Sequence, residues 1–133
     1  MKEVNSTFID SFVHFGGDEI VENCYSRKPA IKEWMDKNNI TTYLQLSNYY
    51  RKRQKTMWRN ISAFKKAIYW ANEDIDMPVE ADDIIHWWGG SKNVNKLAGR
   101  KNQVILSNYD LTYLDVGFGG RRGTGYGTFT SWR

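Results

Sequence analysis

The chain has 133 residues, 41% of them hydrophobic and 26% charged, a balance that excludes a disordered tail and fits one small domain with a moderate core. Its net charge of +4 is concentrated at Arg51, Lys52, Arg53, Lys55, Arg59, Lys65 and Lys66, within or just after one predicted helix, so it reads as a solvated helix face and nucleic acid is an unlikely partner. One cysteine, Cys24, excludes an internal disulfide framework and a CxxC metal or redox motif, and no apolar run is long enough to span a membrane.

In chain order, Phe8 to Phe15 reads as the first strand. Its apolar run at Phe12, Val13 and Phe15 suits a strand covered on both faces. The run ends in Gly16-Gly17-Asp18-Glu19. Glycines there permit unusual backbone angles and close approach to the main chain. Acids at the carboxyl end of a strand stand where barrels and open α/β sheets keep their chemistry. A turn with solvated acids is the commoner reading of four such residues alone. Neighbouring strand residues point to opposite sides, so the two acids share one spot only if the backbone turns.

A loop is expected from Glu22 to Lys28, then a helix with Pro29 at its first position and an apolar stripe of Ile31, Trp34 and Met35. Asn38-Asn39 ends that helix. Thr42-x-x-Gln45 has the form of a capping box for a longer helix from about Tyr43 to Asn60. Tyr43, Leu46, Tyr50, Met57 and Trp58 make its inward face. Lys66 to Trp70 reads as a short buried strand, followed by an acidic loop through Glu73, Asp74 and Asp76. Ile84 to Trp88 is the next strand, closed by Gly89-Gly90. A short helix near Val94 to Gly99 leads to a strand at Val104 to Ser107, and the glycine-rich stretch 117–127 reads as a long loop.

Strands alternating with helices imply parallel βαβ units and an α/β fold. Three strands are followed at once by functional residue types: Asp18-Glu19, Trp88-Gly89-Gly90 and Asn108-Tyr109-Asp110. Aromatic residues at 15%, with six Trp and eight Tyr, suit a ring-lined ligand pocket. Taken singly, Trp70, Trp88 and Tyr113 also suit a core, His14 a satisfied core histidine and Asp115 a turn. Three glycosylation sequons begin at Asn5, Asn39 and Asn60, where composition alone gives roughly one. They lean towards a secretory origin, whereas Met1 to Thr7 lacks the apolar core of a signal peptide.

Phe12-Val13-His14-Phe15-Gly16-Gly17-Asp18-Glu19-Ile20, then Cys24-Tyr25 and Lys28-Pro29-Ala30-Ile31, resembles the H-x-G-G-D-E-V…C-W…N-P-x-I block of β-N-acetylhexosaminidases, family 20 of the glycoside hydrolases. Val104-Ile105-Leu106-Ser107 followed by Tyr113-Leu114-Asp115 is similar to that family's V-I-L-S…Y-L-D block. The Asn108-Tyr109-Asp110 spacing looks most like the invertebrate branch that degrades chitin oligosaccharides. Tyr25 stands where the family has tryptophan.

This resemblance implies a partial (β/α)8 TIM barrel, with residues 1–133 a catalytic-domain fragment carrying strands about four to seven. It implies substrate-assisted retaining hydrolysis of terminal N-acetylhexosamine residues, without metal or cofactor. Carried over residue by residue, Glu19 is the general acid/base and Asp18 orients the 2-acetamido group. Tyr113 binds the acetamido oxygen, and His14 braces the acids from behind. Trp70, Trp88 and Asp115 bind the sugar. The implied partners are glycans or chitooligosaccharides ending in N-acetylglucosamine or N-acetylgalactosamine, together with the rest of the barrel or a sister subunit. The implied location is secreted or lysosomal. Four strands leave the pocket wall incomplete, so little activity is expected of this piece alone. Two other readings stay open: a non-catalytic remnant that binds N-acetylglucosamine, and a basic module that binds nucleic acid.

Overall fold

The structure is a computed structural model that describes residues 1–72 and 79–113. Helices α1 (Lys2–Thr7), α2 (Glu22–Ser26), α3 (Pro29–Lys37) and α4 (Tyr43–Arg59) and strands β1 (Phe12–His14), β2 (Lys66–Ala71), β3 (Ile84–Trp87) and β4 (Gln103–Leu106) follow in the order α1-β1-α2-α3-α4-β2-β3-β4. A 3₁₀ helix, Ser91–Leu97, links β3 to β4. The chain forms two compact units, divided between Ala67 and Ile68 inside β2.

In the first unit the long expected strand is three residues. α1 occupies Lys2–Thr7, and Ile9 is 95% exposed. Asp10 and Ser11 interrupt the apolar run, so pairing begins only at Phe12. The amide of Lys66 donates to the carbonyl of Ser11 at 2.9 Å, which sets the start of β2 beside β1. The expected loop at Glu22 to Lys28 contains a short helix, α2. Pro29 opens α3, where its missing N–H costs nothing. Asn39, at φ +55, follows its end. The capping box forms at α4: the Gln45 amide donates to Thr42 Oγ1 at 3.2 Å and Gln45 Oε1 accepts from the Thr42 amide at 3.3 Å.

The inward face of α4 differs from the apolar pattern. Tyr50 is 61% exposed, whereas Arg51 and Lys55 are 8% and 7% exposed and Trp58 is buried. Positions 51, 55 and 58 follow helical spacing and make one stripe. Trp58 meets Phe15 edge to face at 5.6 Å between ring centroids. The basic run is therefore not simply a solvated face: two of its cations lie in the interior. Their alkyl stems cover apolar surface, and their charged heads need polar acceptors there.

In the second unit β2, β3 and β4 pair in parallel, with Trp70 opposite His86, Ala71 opposite Trp87 and His86 opposite Ile105. Within this unit the strand order is β2-β3-β4. Alternation splits the residues between two faces. Ala71, Ile85 and Trp87 form a buried cluster with Val79, Val94 and Leu97, the last two from the 3₁₀ helix. Trp70 and His86 lie on the other face. The expected helix near Val94 is thus a tighter turn that starts earlier, because the Asp110 carboxylate accepts from the Ser91 amide at 3.0 Å and the Ser91 hydroxyl at 2.6 Å. Gly99, at φ +80, follows it. Parallel strands with helical crossovers define an α/β fold that is part of a barrel.

Candidate functional site

The sequence places its acids at a chain reversal, and the backbone there is unusual. Gly16 and Gly17 take φ of +64 and +94, and Glu19 takes φ +50. A positive φ is routine for glycine and uncommon for glutamate. Such positions persist where surrounding structure holds them, and they cluster at functional sites. The turn frees Asp18 and Glu19 from the strict alternation of a strand. Both side chains are exposed.

Two groups hold this corner. Within β1, His14 Nδ1 accepts from the Gly16 amide at 3.0 Å. An accepting Nδ1 leaves the proton of a neutral ring on Nε2. From α4, the Arg51 guanidinium donates through Nη2 to the Gly17 carbonyl. A Cβ built on Gly17 would sit 3.2 Å from both Nε and Nη2 of Arg51. The backbone approaches the guanidinium as closely as a glycine allows. The family resemblance pointed to His14 beside the acids, whereas Arg51 was read as one charge in a solvated run.

The second unit carries the aromatic candidates. Trp70 stacks on His86 at 3.9 Å between centroids and 30° between planes, as their lateral pairing in the sheet requires. His86 Nε2 lies 2.7 Å from Ser107 Oγ, so one hydrogen bond from the end of β4 fixes the ring against which Trp70 rests. Burial pushes the His86 imidazole below its usual value. The Trp88 amide donates to the Ala71 carbonyl at 2.9 Å. Its indole Nε1 is buried and has no acceptor among the described residues, as is also the case for Trp58 and Trp87.

Asn108 is buried and donates to the Gly89 carbonyl at 3.1 Å, tying the segment after β4 to the glycines after β3. The Ser91 hydroxyl, more than any other contact, holds the Asp110 carboxyl below the usual aspartate range. The Ser91 amide and Lys92 act in the same direction against partial burial. The Asn108-Tyr109-Asp110 segment thus organises loops rather than only presenting polar groups. Tyr113 is half-buried, and Asp115 lies outside the described residues.

The structure therefore joins His14, Asp18 and Glu19 in one unit and Trp70 and Trp88 in the other, with His86 and Ser107 added to the second group. Stacking by His86 had no signature in the sequence beyond a lone histidine in an apolar strand. Of the sequon residues, Asn39 and Asn60 are exposed at helix ends, while Asn5 is half-buried within α1.

Parallel strands with helices between them, and an acid pair at a positive-φ corner just after the first strand, define a barrel-type α/β protein. The model of glycosyl hydrolase family 20, catalytic domain, matches residues 1–133. The chain belongs to that family. It is 35% identical over 126 residues to a beta-hexosaminidase of Emericella nidulans, covering 90% of this chain and 21% of that protein. It is 32% identical over 127 residues to a chitooligosaccharidolytic beta-N-acetylglucosaminidase of Bombyx mori, covering 84% and 21%. Among solved structures, a family 20 exo beta-N-acetylglucosaminidase from Vibrio harveyi, in complex with N-acetylglucosamine, superposes with a TM-score of 0.74. It is 25% identical and covered over 86% of this chain and 18% of that one. The chain spans about a fifth of the length of the curated relatives it matches.

Proposed function

We propose that this chain carries the acid/base segment of a β-N-acetylhexosaminidase, which hydrolyses terminal N-acetylhexosamine residues with retention. The observation that carries the reading is the Gly16-Gly17-Asp18-Glu19 corner, with a non-glycine φ of +50 at Glu19 in a chain of this family.

Most retaining glycosidases pair a nucleophilic carboxylate with an acid. In the substrate-assisted variant the 2-acetamido oxygen attacks the anomeric carbon and forms an oxazolinium-like ring. Glu19 then gives its proton to the departing oxygen and, in the second step, takes one from the water that opens the ring. Asp18 accepts from the acetamido N–H and offsets the positive charge that grows there. Tyr113 donates to the acetamido oxygen, and His14 keeps the glycine corner in place. Trp70 and Trp88 present apolar rings to the sugar face and the acetyl methyl. Asp115 accepts from sugar hydroxyls.

N-Acetylglucosamine-terminated glycans or chitooligosaccharides are the favoured substrates, in keeping with the relatives' names. A residue range of 1–133 corresponds to barrel strands about four to seven, and a secreted or lysosomal setting suits exposed Asn39 and Asn60 as glycosylation sites. No helix among the described residues is long and apolar enough to cross a membrane.

The test is a fluorogenic aryl N-acetyl-β-glucosaminide beside the aryl β-glucoside that lacks the acetamido group. Slow hydrolysis of the first alone, reduced by Asp18→Asn, is expected. Equal rates on both substrates contradict substrate assistance. Sugar binding detected by tryptophan fluorescence without any turnover favours the non-catalytic remnant instead.

A further inference from the structure

We infer that Arg51 is the positioning residue of the acid corner, holding Gly17 from the interior so that Asp18 and Glu19 project in fixed directions. The role assigned to Glu19 above is the basis of this inference, and the argument for Arg51 adds three observations. First, a guanidinium is buried to 8% exposure on a helix whose Lys52, Arg53 and Arg59 face solvent while Lys55, one turn on, is buried with it, and burial of a permanent charge is costly unless it is hydrogen-bonded. Second, its Nη2 donates to the carbonyl of the residue immediately before Asp18. Third, the corner takes φ values of +64, +94 and +50 at Gly16, Gly17 and Glu19, a conformation that local preferences alone do not hold at a glutamate.

The helix places this donor accurately. The capping box fixes the start of α4, and Trp58 against Phe15 fixes its other end relative to β1. Arg51 lies between these two anchors and seven residues before Trp58. A planar fork with several N–H groups keeps its direction better than a lysine ammonium would. Arg51 touches neither sugar nor reacting atoms in this role. It acts through the Gly17 peptide, and His14 holds the Gly16 amide of the same corner.

The experiment compares wild type, Arg51→Lys, Arg51→Met and Arg51→Ala in the full chain. Amide hydrogen exchange is read at residues 16–20, and kcat and KM are read on the fluorogenic N-acetylglucosaminide. Exchange in the Met variant is expected to rise at least about tenfold at Gly17 to Glu19 while α3 and β3 keep their protection. kcat is expected to fall about 10- to 100-fold with KM changed less than about threefold, the size of a misplaced catalytic group. Lysine recovers part of kcat, and millimolar guanidinium recovers part of it in the Ala variant but not in the Met variant. Unchanged exchange at the corner, or wild-type kcat in folded Arg51→Met, overturns the inference. Glu19→Gln serves as the control: if that variant stays active, the catalytic reading falls, whatever the exchange at the corner shows.

Discussion

Replacing Gly17 by alanine tests the corner through its backbone. The new Cβ meets Nε and Nη2 of Arg51 at 3.2 Å, at a φ of +94. A left-handed angle costs an L-residue about 1–2 kcal/mol. The contact requires the guanidinium to give by a few tenths of an ångström. An arginine tip can usually move that far, but this one is buried and bound to the carbonyl of the substituted residue. Loss of a charge-assisted hydrogen bond adds about 1.5–3 kcal/mol. Gly99→Ala isolates the first contribution, because Gly99 has φ +80 and nothing within 4 Å of its Cβ position. Both substitutions share the entropy lost by the unfolded chain. The difference between the variants is therefore about 1.5–3 kcal/mol, roughly 10- to 150-fold in a local opening equilibrium. Exchange-derived opening energies, read in α4 for Gly17→Ala and in β3 for Gly99→Ala, measure it. Equal losses in the two variants refute the reasoning.

Three other substitutions have expected outcomes. Thr42→Ala removes the side-chain half of the capping box and lowers stability by about 0.5–2 kcal/mol, read from the urea midpoint of helical circular dichroism. Asp110→Asn removes a carboxyl whose folded pKa lies below its ordinary value, chiefly through the Ser91 hydroxyl. The wild-type contribution is full above the ordinary carboxylate range and is lost as pH falls through the folded pKa, so the variant flattens the acid limb of a stability-against-pH curve. His86 is depressed from 6.5 by burial: below about pH 6.5 the unfolded chain takes up a proton that the folded chain resists. Stability therefore falls with pH in that window, and His86→Gln abolishes that slope; an NMR titration of His86 at or above 6.5 contradicts it.

Features set by near neighbours were legible in the sequence. The capping box needs only Thr42 and Gln45, and Pro29 marks the start of α3 without outside help. The turn at the acid corner was legible for the same reason, because two adjacent glycines permit the positive φ values found there; its chemistry was suggested by the family resemblance, not by the four residues alone. What was missed depends on distance along the chain. Arg51 is buried because its acceptor is a backbone carbonyl 34 residues away, and a backbone acceptor leaves no mark in a side-chain pattern. The stack of Trp70 on His86 follows from the register of β2 against β3, which neither strand encodes alone. The first strand was read too long because Phe8 and Ile9 look like core residues, yet they precede the pairing that starts at Phe12.

The central claim is that Glu19 moves the proton. Its most direct test is hydrolysis of the fluorogenic N-acetyl-β-glucosaminide by the chain and by Glu19→Gln, at equal folded concentration. General acid–base catalysis contributes about 10²- to 10⁴-fold, and the account predicts a loss of that size in the amide variant. Hydrolysis by Glu19→Gln within a factor of about two of wild type would contradict it.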